Sequence, residues 1–166
     1  MLKITLKGQI LKKFSLILLF ALIFTGCVAT KTPQSSQAFQ VTLFSPMIKI
    51  NDVGFFHEYK NELNLQIYSS GVNTANIRIK DKICVNGACF SKSEFNEKFF
   101  LAPHYESIFE EILKREKIYD GKGLTSLECG FRQDLSSYFI KYEVCGNHVK
   151  FIDSKNKIKV IIKELK

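Results

Sequence analysis

Apolar positions along the chain fall into three patterns. Residues 14–24 form an unbroken, mostly apolar run. From Phe39 to Phe90, apolar and polar side chains alternate in short stretches, at Phe39, Val41 and Leu43, then Met47, Ile48 and Ile50, then Leu63, Leu65 and Ile67, then Ile77 and Ile79. A period of two puts one face of a strand against a core, so this region predicts β-structure, interrupted at Ser45-Pro46 and Asn51-Asp52.

The period changes after residue 90. Ser91-Lys92-Ser93-Glu94 is a capping box that predicts a helix start, and Phe95 and Phe99 follow at i and i+4. Pro103 suits the first turn of a second helix, where a missing N–H costs no helical hydrogen bond. Tyr105, Ile108, Phe109, Ile112 and Leu113 make one apolar stripe. Glu106, Glu110, Glu111, Lys114 and Arg115 lie opposite, with Glu110 to Lys114 and Glu111 to Arg115 in the favourable i,i+4 order.

Asp120-Gly121-Lys122-Gly123 reads as a loop, and residues 133–137 as a polar connection. Alternation then returns at Tyr138, Ile140, Tyr142 and Val144, at Val149 and Phe151, and at Ile158, Val160 and Ile162. The expected fold is α+β: an antiparallel sheet with two consecutive helices, over about 92–117, inserted between an N-terminal β region (39–90) and a C-terminal three-stranded meander (137–164).

The first apolar run follows Lys3, Lys7, Lys12 and Lys13, with no acidic residue before it. Eleven residues make a helix of about 16 Å, against a hydrocarbon core of about 30 Å. The run is too short for a comfortable span, and Phe24-Thr25-Gly26-Cys27 follows it directly. This segment resembles the lipobox of bacterial lipoproteins, departing from the usual pattern at Phe24. The resemblance implies cleavage before Cys27, thioether lipidation of that cysteine, and an anchor of two or three acyl chains, each buried CH2 contributing about 0.8 kcal/mol. Val28 in place of Asp favours the outer membrane. The expected organisation is a signal peptide (1–26), a lipidated cysteine with a flexible tether (27–38) and one globular domain (39–166).

Removing the signal changes the charge. The formal +8 falls to 20 basic against 16 acidic residues, which withdraws the compositional case for nucleic acid. The lysines read as scattered, a solvated surface compatible with anionic headgroups or cell-wall polymers.

Four cysteines remain after Cys27, and an even count in an exported chain favours two disulfides. Asn86-Gly87 is a strong hairpin signal that sets Cys84 opposite Cys89, and Cys129 and Cys145 pair by elimination. Neither zinc nor redox chemistry has its usual C-x-x-C spacing here.

Candidate chemistry is sparse. His57, His104 and His148 stand in no H-x-H or H-E-x-x-H arrangement, adjacent Glu110 and Glu111 do not face each other on a helix, and no G-x-S-x-G occurs. No metal or cofactor is expected. The stretch from Cys84 to Cys89-Phe90-Ser91-Lys92, continuing to Phe95-Asn96, resembles small uncharacterised outer-membrane lipoproteins of epsilonproteobacteria; that resemblance implies an address and supplies no activity. The expected function is a non-enzymatic, lipid-anchored interaction or assembly-accessory module with an envelope protein partner. The alternative, motivated by the 15 Phe and 6 Tyr, is a carrier of lipid or a small ligand.

Overall fold

The computed structural model describes residues 31–165; the expectations for the signal segment and Cys27 lie outside them. The strands are β1 (Ser35–Phe44), β2 (Lys49–Tyr59), β3 (Glu62–Ser69), β4 (Val72–Ile79), β5 (Ile83–Val85) and β6 (Ala88–Phe90). Helices α1 (Lys92–Phe100) and α2 (Ile108–Lys114) follow, then β7 (Leu124–Leu127), β8 (Gly130–Leu135), β9 (Ile140–Cys145), β10 (His148–Asp153) and β11 (Ile158–Glu164). All eleven strands join one sheet in the order β6-β5-β4-β3-β2-β1-β11-β10-β9-β8-β7.

The α+β expectation is therefore corrected: the fold is dominated by a single antiparallel sheet, and its two helices are short. The C-terminal part holds five strands where a meander of three was expected, because β7 forms where no element was expected and β8 runs into the connection expected at 133–137. Leu124-Thr125-Ser126-Leu127 and Gly130 to Leu135 carry too few apolar side chains to show a period, and pairing with β9 makes them strands. At the other end β1 begins at Ser35, inside the segment expected to be tether. Its first residues are polar, and their ladder to β2 keeps them extended.

The first and last strands meet in the middle of the sheet, with Val41 opposite Ile162 and Leu43 opposite Val160. From β1 the chain steps outward to β6, crosses by way of the helices, and steps back from β7 to β11. Alternate residues point to the side the helices cover: Phe39, Val41 and Leu43 on β1, Leu63, Leu65 and Ile67 on β3, Val149 and Phe151 on β10 are all buried. Gly54 of β2 faces the same way, and a Cβ there would sit 2.9 Å from Cγ2 of Val41.

The helical segment supplies the rings that fill this side. Phe109 lies 4.8 Å from Phe95 and 4.9 Å from Phe99 between centroids, and Phe100 packs 5.5 Å from Phe151 of the sheet. The amide of Glu94 donates to Oγ of Ser91 at 3.2 Å, so the cap forms as its residues dictate. Pro103, however, lies in the loop before α2 rather than in its first turn. Buried Asn96 donates through Nδ2 to the carbonyls of Tyr105 (2.8 Å) and Glu106 (3.1 Å), holding that loop out of helix. Glu110 meets Lys114 at 2.6 Å as expected. Glu111 does not meet Arg115; it accepts from Tyr105 and Ser107, while Arg115 reaches Asn147 and lies 5.7 Å over the ring of Phe39.

Substituting Ile112 by Glu should cost several kcal/mol of unfolding free energy, because Ile112 is fully buried and the new charge has no partner. Lys114→Gln removes only a partly exposed ion pair and should cost about 1 kcal/mol or less. Urea titrations of the two variants check the assignment of the helix face; equal losses would refute it.

Candidate functional site

Two disulfides join Cys84 to Cys89 and Cys129 to Cys145. The first closes the β5–β6 hairpin, where Asn86 (φ 50°) and Gly87 (φ 90°) take the two positive-φ turn positions and the Cα atoms of Cys84 and Cys89 stand 3.9 Å apart. The second ties the β7–β8 turn to the end of β9, where the amide of Gly146 also donates to the Cys129 carbonyl at 2.7 Å. Gly130 makes this approach possible: a Cβ would fall 2.2 Å from the Val144 carbonyl oxygen. Among the described residues no group of three His, Cys, Asp or Glu side chains is placed to hold a metal ion. Nor is any helix there long and apolar enough to cross a membrane.

The histidines are not brought together. His57 lies on the outer face of β2, 2.9 Å from Oγ of Ser36 through Nδ1, and His148 begins β10 opposite Cys145 and Lys163. His104 is the one packed inside. Its Nδ1 bonds the hydroxyl of Tyr119, which stacks on Tyr138 at 4.7 Å, and its Nε2 is buried without a partner. Burial lowers the His104 pKa, and the carboxylate of Asp153 only partly opposes this.

Beside it, Tyr105 donates to Glu111 and accepts the amide of Tyr119 at 2.9 Å. Burial first, and then Glu111, pushes the Tyr105 phenol well above its ordinary range; burial with Tyr138 and Asp153 raises Tyr119 to about 12. These phenols stay protonated at physiological pH and serve as hydrogen-bond groups. Glu110 is the contrasting case: burial works against its carboxylate, but Lys114 and Lys92 outweigh that and hold its pKa below the ordinary value.

The outer face of the sheet carries a different group. Phe55 on β2 lies opposite the small Ala38 on β1 and Gln66 on β3, so one side of its ring stays uncovered, with 36% of the residue exposed. Tyr68 meets it edge-on at 5.7 Å and His57 stacks beside it at 6.4 Å. Alternation along β2 sends Phe55 outward because its neighbours Gly54 and Phe56 point in.

Register also gathers lysines that look scattered along the sequence. Calling the Ser35 end of β1 upper and the Phe44 end lower, antiparallel pairing brings the starts of β2, β7, β9 and β11 and the end of β10 to the lower end. Exposed Lys49, Lys141, Lys155, Lys157 and Lys159 all stand there. Lys122 joins them, its ammonium 5.4 Å over the ring of Tyr138. Lys155 and Lys157 lie in the β10–β11 turn and Lys159 on β11, and their convergence with Lys49 and Lys141 across strands needs the register.

Because folding lowers the pKa of His104 below the value of 6.5 that it has when unfolded, its contribution to stability is fully present above pH 6.5 and is lost as pH falls toward the folded value. His104→Phe should flatten the stability profile on the acid side of 6.5. Thermal melts of both proteins across pH 4.5 to 8 measure it; parallel profiles would show that His104 carries none of the dependence.

No protein-family model, curated protein or solved structure matches the chain, so its functional reading rests on its own residues.

Proposed function

We propose that the protein is a lipid-anchored component of the bacterial envelope, held at the outer membrane through Cys27, whose folded domain works as a non-enzymatic interaction or assembly-accessory module. The observation that carries the reading is an aromatic group held outside a filled core. Phe55, Tyr68 and His57 form a rigid cluster on the outer face of β2 and β3, in a domain whose interior is already packed by Phe95, Phe99, Phe100, Phe109 and Phe151. An exposed aromatic with polar neighbours is the kind of residue that anchors a protein contact, because its apolar area is buried at little cost in side-chain entropy.

The interior also bears on the carrier alternative. Its rings lie in contact and fully buried, and the recesses of the described surface are open clefts lined largely by charged side chains, such as Glu58, Lys60, Lys80 and Glu110 around one of about 400 Å³. A carrier needs an apolar cavity; the filled core favours the interaction module.

Cys27→Ala should abolish lipid labelling in cells and leave an unprocessed precursor with both disulfides intact. Mass analysis of the mature wild type finding Cys27 unmodified overturns the anchor. Phe55→Ser should leave the melting temperature within a few degrees and remove the protein crosslinks formed by the wild type in intact cells. Crosslinks unchanged in that variant would move the contact elsewhere on the surface.

A further inference from the structure

The lower end of the sheet combines two properties. Besides its lysines it holds four of the eight large apolar side chains that the described surface exposes: Phe139 (55%), Leu101 (54%), Phe44 (44%) and Tyr138 (40%). Their placement follows from the fold. Phe44 ends β1, and Tyr138 and Phe139 lead into β9, where the Phe139 carbonyl accepts from Ser154 in the β10–β11 turn. Leu101 ends α1 beside His104, which faces Asp153 of β10. Glu143 of β9 stands two positions from Lys141 and pairs with Arg132 at 3.1 Å, and this end also exposes Asp120 and Asp134. Glu58, Glu110 and Glu116 lie at the other end, around Lys114, and Glu164 bonds Asn147 there.

We propose that this lower end docks onto an anionic lipid bilayer, its lysines at the headgroups and Phe44, Leu101, Tyr138 and Phe139 entering the boundary with the acyl chains. Charge complementarity selects an anionic partner, since each lysine near such a surface adds favourable energy that salt screens. The interleaved apolar side chains select a bilayer over a soluble polyanion, which offers them nothing to enter. At the upper end acidic side chains offset Lys60, Lys80, Lys82 and Lys114, so the reverse orientation gains less.

Only the question of which bilayer rests on the anchored reading. Residues 27–35 span at most about 26–29 Å, whereas the ten residues of β1 cover about 33 Å. A chain anchored at Cys27 thus meets its own membrane with the strands inclined rather than upright. Phe55 stands six positions up β2 from Lys49, about 20 Å from the docked end, and stays open to a protein partner.

The test uses the full chain added to preformed vesicles of phosphatidylcholine, with or without phosphatidylglycerol, followed by brief lysine acetylation and mass spectrometry. Labelling of Lys141, Lys155, Lys157 and Lys159 should fall at least about threefold in the anionic vesicles and recover at high salt. Lys60, Lys80 and Lys82, in the turns of the upper end, should not change. A Lys141→Glu, Lys155→Glu, Lys159→Glu variant with an unaltered melting curve should lose the protection, and Leu101→Ser with Phe139→Ser should weaken it. Equal labelling in the two vesicle types overturns the proposal. So does protection by soluble polyphosphate with none from vesicles, and so does a Leu101→Ser, Phe139→Ser variant that binds as well as the wild type. An unlipidated Cys27 would leave the protection in place, so the two readings fail separately.

Discussion

A sheet that turns an apolar row to one side along almost every strand has to cover that side, and here the covering layer is the single connection from β6 to β7. Two short helices deliver four phenylalanine rings, but the loops around them bring backbone N–H and C=O groups against the core. Each such group left unpaired costs about 1–3 kcal/mol. The buried polar side chains answer that cost. Asn96 takes the carbonyls of Tyr105 and Glu106, the Gln133 amide brackets Ile118 through both its N–H and C=O and reaches Lys122, and the Tyr142 hydroxyl donates to Glu116. The polar atoms in this core exist because loops, and not one long helix, cover the sheet.

The same constraint separates what was legible in the sequence from what was not. Strands with strong alternation, such as β3 and β11, and the Ser91 cap are local features, and their residues specify them alone. The Asn86-Gly87 turn placed Cys84 against Cys89 for the same reason. By contrast β7 and β8 have little periodicity of their own and are strands because β9 offers an edge, while the start of α2 is set by Asn96 from a preceding helix. Sheet order, which brings residue 41 to residue 162, is non-local and has no signature in either segment. The aromatic group at Phe55 was not legible: β2 runs through Asn51-Asp52, where a break was expected, and the ring's direction depends on the registers that send Gly54 and Phe56 inward.

Charge separation along the strands follows from that topology as well. Outward positions on β9, β10 and β11 include Lys141, Lys150, Lys159 and Lys163 among Glu143, His148, Ile152 and Ile161, and the lysine stems can lie over the two isoleucines while the ammonium groups stay in water. On α2, Glu110 holds Lys92 and Lys114 together, so the basic side chains at that end are matched by carboxylates. A domain with an excess of lysine at one end and balanced charge at the other is oriented by a charged surface before it makes contact. Orientation is thereby a property of the whole sheet rather than of one residue.

The two disulfides complete the mechanical picture through where they fall. Strands in the middle of the sheet have a neighbour on each side, but β6 and β7 are the edges, and they are only three and four residues long. A hairpin that short is marginal on its own. Cys84–Cys89 closes the hairpin at one edge, and Cys129–Cys145 binds the turn of the other edge hairpin to β9, one strand further in. Short edges limit pairing with foreign strands, but they also fray, and fraying at β6 or at β7 would release one end of the covering connection. Stapling the edges therefore protects the core from the outside in, since the segment that fills it is attached at those two strands and nowhere else along the chain.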